Sequence, residues 1–379
     1  MDIEYRKRDH IRISLERDVS YRKTTWLEWV ELIHDAAPEL DPEDVDTSTT
    51  FLGRRFNAPV LIEGMTGGTG EAEKINANLA EAASTFGVPM GVGSQRAGIV
   101  RPETARTFRV VRDKAPDGFI IGNIGGSQLV EHGVEMAVKA VEMIEADALA
   151  VHLNPLQELV QPDGRPRFRG LLKTLKRLRS QLGVPIILKE IGMGISGAVA
   201  ARAEDVYDAV DVAGSGGTNW TLIEMLRASE TEHREKVLLA ETLLEWGIPT
   251  AAALMEVRTR TRKPVIASGG LRTGLDAAKA ISLGADMAGL AHPFLEPATR
   301  TAEDVLEKLR TIHRELASVM FLTGCRTVQD LKRSPVVVRG PLLEWASQRC
   351  PRHPKIYSWQ KMKRSSEPLS RRQKPNRSN

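Results

Sequence analysis

A cluster of polar side chains at residues 152–158 is the part of the sequence best suited to chemistry. It contains an imidazole, two carboxamides and one carboxylate, at His152, Asn154, Gln157 and Glu158. Such groups suit phosphate oxygens and a hard cation such as Mg²⁺. The cluster directly follows the apolar run at 147–151, so a buried strand is predicted to end in it. We therefore expect a functional site at the carboxyl end of that strand.

Short apolar runs recur eight times along the chain. They occupy residues 59–63, 88–92, 118–122, 147–152, 184–188, 210–213, 264–267 and 285–290. Continuous runs of this kind are typical of parallel strands that are covered on both faces. Amphipathic segments fill most of the gaps, at 71–86, 128–145, 171–182, 198–209, 275–283 and 301–321. The pattern predicts an α/β fold of eight strand–helix units.

Eight such units fit either a TIM (β/α)8 barrel or an open, doubly wound sheet. Glycine or polar residues follow all eight predicted strands. An open sheet gathers its ligand groups at one switch point, whereas a barrel collects them from every strand onto one face. We therefore predict a TIM barrel over residues 59–350, with its site at the carboxyl ends of the strands, preceded by an extension at 1–58.

The N-terminal extension is predicted to contain an arm, a helix and a hairpin. Cations concentrate at residues 6–10, in an arm able to fold over the barrel mouth. Capping-box spacing between Thr25 and Glu28 leads into an amphipathic segment at 29–34, which predicts a helix. Apolar runs on both sides of Gly53 predict a hairpin that closes the barrel floor.

The net charge of +4 is concentrated at the end of the chain. Residues 352–379 carry nine Lys or Arg and one Glu, a charge of +8, which leaves −4 for residues 1–351. Because this segment is rich in Ser, Pro and Asn, it cannot bury enough apolar area to fold, and residues 351–379 are predicted to be a disordered basic tail. Sparse aromatic residues argue against nucleic-acid binding.

Composition indicates a cytoplasmic protein. No apolar stretch approaches the roughly 20 residues that span a bilayer, and the N-terminus lacks the apolar core of a signal peptide. The two cysteines, Cys325 and Cys350, form no CxxC pair. Neither a disulfide framework nor a zinc site is indicated.

Glycines at the ends of the seventh and eighth predicted strands indicate a phosphate site. Gly269 and Gly270 precede a helix, and Gly289 lies just before His292. Barrels commonly bind phosphate with these loops and a helix N-terminus. A GxGxxG motif at 192–197 imitates a dinucleotide fingerprint, but its place in the fifth unit argues against that function.

Lys189 is predicted to point from a strand end into the barrel mouth, where a buried lysine needs an anionic partner. Three roles fit these residues. Lys189 could form a Schiff base, neutralise a reduced flavin, or pair structurally with Glu190.

Several stretches of the sequence resemble one family. The chain is similar to the type 2 isopentenyl-diphosphate isomerases, which are FMN-dependent TIM barrels, from Arg6 to about Arg349. Besides the arm at 6–10, the matching stretches are 65–69, 93–96, 122–125, 152–158, 189–196, 213–220, 246–250 and 267–274. The arm combined with the cluster at 152–158 makes the resemblance specific.

The resemblance implies a role for individual residues. FMN would be held by Met65, Thr66, Gly67, Ser94, Asn123, Lys189, Thr218, Gly269, Gly270, Arg272, Ala291 and His292. The substrate would be bound by Arg6, Lys7, His10, Ser94, Arg96, His152, Asn154 and Gln157. Glu158 would be the magnesium ligand. Gln157, His152 and Lys189 would be catalytic, with Lys189 beside the reduced flavin.

The implied reaction interconverts isopentenyl diphosphate and dimethylallyl diphosphate in isoprenoid biosynthesis. Reduced FMN would act as acid and base, Mg²⁺ would be required, and NADPH or another reductant would reduce the flavin. A homo-oligomer, tetramer or octamer, is also implied. The sequence departs from the family at Glu63 and Gly64, where small or hydroxyl residues are expected.

The alternative is an FMN-dependent 2-hydroxyacid oxidase, which shares the barrel and the phosphate glycines. Such an oxidase needs a histidine base and paired arginines near strands 6 and 7. Residues 214–220 supply neither. The isomerase is therefore the favoured interpretation.

Overall fold

Eight short parallel strands form a closed ring in the computed structural model, which describes residues 3–231 and 233–356. In chain order they are β1 (Val60–Ile62), β2 (Met90–Gly91), β3 (Ile120–Gly125), β4 (Ala148–His152), β5 (Ile186–Lys189), β6 (Ala209–Asp211), β7 (Val265–Ala267) and β8 (Met287–Leu290). Each strand pairs with the next, and β8 pairs with β1. The predicted TIM barrel is confirmed.

Helices surround the barrel and connect its strands. The α-helices after the first strand are Gly70–Phe86, Arg96–Val100, Arg106–Lys114, Gly126–His132, Glu135–Ile144, Pro155–Val160, Leu171–Arg179, Gly197–Arg202, Trp220–Glu230, Arg234–Leu243, Thr250–Arg258, Gly274–Ser282, His292–Arg300, Ala302–Leu322, Val328–Arg333 and Gly340–Arg349. Single 3-10 turns lie at Leu27–Trp29, Pro42–Asp44, Pro102–Thr104 and Glu204–Val206. Within the described ranges, no helix is both long and apolar enough to cross a membrane.

Two predicted helices have different limits in the structure. The helix expected at 128–145 is divided in two, because Gly133 adopts a φ of 92° between the halves. The helix expected at 198–209 ends as an α-helix at Arg202, and Ala209 already belongs to β6.

The lower end of the barrel interior is closed by the predicted hairpin. Strand Thr49–Phe51 pairs antiparallel with Arg54–Phe56. The rings of Phe51 and Phe56 are buried in one apolar cluster with residues of the barrel strands, and the Phe56 ring meets the Phe119 ring edge to face at 5.6 Å. Burial of each phenylalanine stabilises the fold by roughly 1.5–3 kcal/mol.

The prediction of a helix at 29–34 is wrong. A 3-10 turn is followed by a strand, Val30–Leu32, which pairs antiparallel with Val336–Val338. The β-branched and aromatic residues of the segment favour a strand. Its partner strand lies about 300 residues away in the sequence, so a local pattern could not identify the pairing.

The predicted arm is part of a helix, Ile3–Glu16, that lies over the upper end of the barrel. Its apolar side packs on the barrel. Ile13 is buried in a cluster with Ile223 of helix Trp220–Glu230. This contact positions the cationic side of the helix over the carboxyl ends of the strands.

The first residues of the predicted disordered tail pack against the barrel. His353 and Ile356 are both 1% exposed, and His353 Nε2 lies 3.0 Å from the Leu283 carbonyl oxygen. The remainder of the predicted tail, 357–379, lies outside the described residues.

Candidate active site

A cavity of about 220 Å³ opens at the carboxyl ends of the barrel strands, beneath helix Ile3–Glu16. The parallel register places His152 opposite Lys189, and Lys189 opposite Asp211. Every residue predicted for the cofactor, substrate or metal lines this cavity except Gly67. A Cβ atom on Gly67 would lie 1.9 Å from the Phe108 ring, so this glycine allows close packing.

One end of the cavity has the features of a phosphate site. Gly269 and Gly270 adopt φ values of 95° and 88°, and helix His292–Arg300 begins without a side-chain cap. Burial and the Arg272 charge lower the pKa of His292. An anion here would meet a cation and uncapped backbone amides.

A buried ion cluster lies at the centre of the cavity around Lys189. Its Nζ lies 2.9 Å from Glu63 Oε2 and also contacts Asp211 Oδ2. Burial lowers the pKa of Lys189, but the attraction of Asp211 and Glu63 outweighs burial and raises it. Lys189 is therefore held as an ammonium, which disfavours a Schiff base because that chemistry needs a neutral amine.

Glu190 is not the partner of Lys189 suggested as one alternative. Its Oε2 accepts hydrogen bonds from the backbone N–H groups of Ile191, Gly192 and Met193. Burial raises the pKa of Glu190 to about 7, against the opposing effect of these three amides. Glu190 therefore shapes the glycine-rich loop after β5.

Three cations converge on the opposite end of the cavity. Arg6 Nη1 lies 3.2 Å from Asp163 Oδ2, the one ion pair that these cations make within the described residues. Burial and the charges of Arg6 and Arg96 lower the pKa of Lys7 to about 7. Arg96 Nε is buried without a hydrogen-bond partner in the described part of the chain. The three cations outnumber Asp163 and Glu224, the carboxylates that act on them, so this end suits a polyanion.

His152 lies between this cationic end and Lys189. Burial and the charges of Lys7 and Lys189 lower the pKa of His152 to about 3, so the imidazole is neutral. His152 Nδ1 lies 2.7 Å from Asn123 Oδ1. A neutral ring that donates from Nδ1 to this oxygen presents the lone pair of Nε2 as an acceptor.

Gln157 belongs to a buried hydrogen-bond chain. Its Oε1 accepts from Asn154 Nδ2 over 3.1 Å, and its Nε2 donates to Glu224 Oε1 over 3.0 Å. The same carboxylate oxygen lies 2.9 Å from His10 Nε2. The chain joins the cluster after β4 to the helix over the mouth.

Glu158 is a buried carboxylate surrounded by polar groups. Its Oε1 accepts from Gln128 Nε2 over 3.2 Å and from Asn154 Nδ2 over 3.3 Å, and its Oε2 accepts from the Arg165 N–H. Asn154 Oδ1 is buried and has no partner in the described part of the chain. Among the described residues, no cluster of three His, Cys, Asp or Glu could hold a metal ion. A cation here would need further oxygen ligands.

Sequence reasoning missed four acidic residues at the site: Asp163, Asp211, Glu224 and, as a cavity group, Glu63. Glu224 lies on the buried face of helix Trp220–Glu230 and is fully buried. A carboxylate three residues before Arg227 on the same helix was the available signal, because buried groups of opposite charge must pair.

Comparison with known proteins identifies the family of this chain. The family model described as FMN-dependent dehydrogenase matches residues 167–338. The isopentenyl-diphosphate delta-isomerase of Thermococcus kodakarensis is 46% identical, over 91% of this chain and 94% of its own length. That of Halobacterium salinarum is 47% identical, over 91% of this chain and 96% of its own. The chain belongs to the isopentenyl-diphosphate delta-isomerase family.

Solved structures add information on the fold of this isopentenyl-diphosphate delta-isomerase family member. Mandelate oxidase superimposes with a TM-score of 0.62 at 17% identity, over 88% of this chain and 97% of that chain. Such a distant likeness concerns the barrel alone. The relatives at 46–47% identity favour the isomerase over the hydroxyacid oxidase.

FMN is the cofactor supported by the matching family model, and the cavity fits it. Thr66 Oγ1 and Glu63 Oε1 are buried in the cavity wall without hydrogen-bond partners among the described residues. The phosphate-site features described above lie in the same cavity. A ligand with polar ring edges and a phosphate would satisfy both regions.

Proposed function

We propose that this chain interconverts isopentenyl diphosphate and dimethylallyl diphosphate. The observation that carries the proposal is the convergence of Arg6, Lys7 and Arg96, which make one ion pair among the described residues, on the cavity that suits FMN. A diphosphate would supply the missing negative charge through charge-assisted hydrogen bonds.

Glu158 and Asn154 Oδ1 would hold Mg²⁺ next to this diphosphate. One carboxylate is a sparse ligand set, but Mg²⁺ is commonly bound by one or two carboxylates together with substrate phosphates and water. His152 lies close enough to Lys7 for the Lys7 charge to lower the pKa of His152. Its Nε2 would then orient the substrate as a hydrogen-bonding group.

The double-bond shift adds a proton at the terminal methylene and removes one from C2 of the substrate. Reduced FMN, when bound, supplies an acid and a base in the cavity, after reduction by NADPH or another reductant. Lys189 would hold positive charge beside it. Gly269, Gly270, Arg272, Ala291 and His292 would hold its phosphate. Met65, Thr66, Gly67, Ser94, Asn123 and Thr218 complete the proposed cofactor residues.

Helix Ile3–Glu16 would exclude water from the reacting carbons. Arg6 and His10 anchor it to Asp163 and Glu224 on two other parts of the barrel. Such closure protects a developing cation from attack by water. Both the oxygen and the nitrogen of the Gln157 amide are hydrogen-bonded, so this side chain would orient the substrate. Gln157 has no titratable proton of its own.

The proposal is tested by an anaerobic assay of the FMN-loaded protein with Mg²⁺ and isopentenyl diphosphate, with and without prior reduction of the flavin. We expect dimethylallyl diphosphate only after reduction. Oxygen consumption with 2-hydroxyacids, without isomer formation, would instead support the oxidase.

A matched pair of variants tests the diphosphate site. Arg96→Met removes a cavity cation, and we expect KM to rise roughly 10- to 100-fold, the effect of losing about 1.5–3 kcal/mol of charge-assisted hydrogen bonding. Arg106→Met removes an exposed arginine that pairs with Glu73, and KM should not change. Equal KM values for the two variants would contradict the proposed site.

The tetrameric or octameric assembly and the cytoplasmic location expected from the sequence stay predictions. Sedimentation velocity of the purified protein would determine the assembly.

A further inference from the structure

Glu63 projects a carboxyl group into the cavity immediately after β1 and is 7% exposed. Its Oε2 lies 2.9 Å from Lys189 Nζ. Its Oε1 is buried and has no hydrogen-bond partner in the described part of the chain. An ideal Cβ on Gly289 of β8 would lie 2.1 Å from this oxygen. There is room for Glu63 Oε1 because Gly289, the residue that faces it, has no side chain.

The charges around Glu63 do not balance if it is ionised. Lys189 and Asp211 are the charged groups that face it, and they pair with each other. Ser268 Oγ donates to Asp211 Oδ1 over 2.6 Å, while Gly289 contributes no charge. An ionised Glu63 would add one uncompensated negative charge to a buried cluster, which is unfavourable.

A proton on Glu63 removes this excess charge. Lys189 donates to Oε2, and the Glu63 and Asp211 carboxyl groups lie within hydrogen-bonding reach of each other, so the proton is held where the two carboxyl groups meet. Burial and the Asp211 charge raise the pKa of Glu63 to about 8, against the opposing attraction of Lys189. Near neutral pH the group is therefore a carboxylic acid.

We propose that Glu63 is a redox-linked proton site, which binds its proton more tightly when the flavin in this cavity is reduced than when it is oxidised. The inference deepens the proposed function, since it rests on FMN occupying the cavity, but it does not depend on isomerisation. Glu63 is a positioning residue for Lys189 that also controls the local charge. Glu63 is also one of the two positions at which the sequence departs from the family pattern.

The electrons and protons taken up on flavin reduction determine the pH range in which Glu63 gains a proton. A reductant delivers two electrons to the flavin, and one proton accompanies them to give the reduced anion. The new negative charge raises the proton affinity of Glu63. Above pH about 8, where Glu63 is ionised in the oxidised protein, reduction therefore draws one additional proton from solvent onto its carboxylate. At lower pH Glu63 is protonated in both states.

The test measures the midpoint potential of FMN bound to the full chain between about pH 6 and 10, without substrate. Above pH about 8, the wild-type potential should fall more steeply with pH. The added slope is that of one additional proton per two electrons. Glu63→Gln, which keeps the shape without a titrating group, should lose this increment. An identical slope in both proteins would overturn the proposal.

Lys7→Gln is the matched control, because Lys7 also titrates near neutral pH, with a pKa of about 7. Its pKa responds to Arg6, Arg96 and Glu224 and not to Glu63. This variant should keep the steep segment of the pH dependence. Loss of that segment in Lys7→Gln would assign the extra proton to Lys7 and would also overturn the proposal.

A second measurement needs only the wild-type protein and can still overturn the proposal if Glu63→Gln does not fold. Reduced-minus-oxidised infrared difference spectra at pH about 9, above the pKa of about 8, should show a carboxylic-acid band that appears on reduction. Absence of this band would contradict the proposal. The band in a protein without isomerase activity would leave this inference standing and overturn the proposed function alone.

Discussion

Gln157 Nε2 lies 3.0 Å from Glu224 Oε1, and this hydrogen bond joins the polar cluster after β4 to helix Trp220–Glu230. The same oxygen lies 2.9 Å from His10 Nε2, and Arg227 Nη1 donates to Glu224 Oε2 over 2.5 Å. One buried carboxylate thus orients side chains from the helix over the mouth and from the barrel.

Replacing Glu224 by Gln should lower turnover roughly 10- to 100-fold, because removal of the charge weakens hydrogen bonds worth about 1.5–3 kcal/mol. We expect this loss in kcat at saturating substrate, measured with the flavin reduced beforehand. Glu230→Gln, on the same helix but exposed and paired with Arg12, is the control and should retain activity. Equal kcat values would show that the Glu224 charge does not position the site.

Glu224 should also contribute to stability in a pH-dependent way. Burial raises its pKa, but His10 and Arg227 outweigh burial and lower it to about 2 from 4.5. Because burial lowers the pKa of His10 itself, Arg227 is the partner that carries charge at neutral pH. A lowered folded-state pKa stabilises the protein above pH about 4.5, and this contribution is lost as pH falls toward 2. In urea unfolding, the stability difference between wild type and Glu224→Gln should shrink over that range. A constant difference would contradict the assigned ion pairs.

The affinity for diphosphate should fall as pH rises above 7, because Lys7 loses its proton in the free protein with a pKa of about 7. A bound anion raises that pKa, so binding takes up protons above pH about 7. Calorimetric titration with inorganic pyrophosphate and Mg²⁺, in buffers of different ionisation enthalpy, measures this uptake. The ionisation of pyrophosphate itself contributes equally to the proton uptake of wild type and Lys7→Gln, so the difference between them reports Lys7. Equal proton uptake in both proteins would exclude Lys7 as the proton acceptor.

Deletion of residues 1–10 should impair turnover far more than FMN binding. Arg6, Lys7 and His10 are lost with the segment, whereas the proposed cofactor residues lie at the strand ends. Flavin fluorescence titration gives FMN affinity, and product formation gives turnover. Unchanged turnover would refute the closing role of the helix.

Gly269→Ala should destabilise the protein by about 1–3 kcal/mol and weaken FMN binding. The residue has a φ of 95°, and its Cβ would lie 2.1 Å from the Gly214 carbonyl oxygen. Gly183→Ala is the control, since a Cβ added there would have no atom within 4 Å and the φ of Gly183 is not positive. Thermal unfolding and FMN titration of both variants check this difference, and similar behaviour would refute the steric argument.

The sequence by itself determined the barrel and much of its active-site composition. Continuous apolar runs must be covered on both faces, and eight of them ending in polar residues leave a closed ring as the consistent arrangement. Side chains that follow parallel strands necessarily meet at one face, so His152 and Lys189 could be assigned to a common site before their register was known.

The tertiary structure alone decided the pairings made between distant segments. Val30–Leu32 forms a strand because Val336–Val338 lies beside it. Lys189 pairs with Glu63 and Asp211, although Glu190 is its neighbour in sequence. Such pairings depend on which charged groups burial brings within a few ångströms, and local periodicity carries no information about that distance.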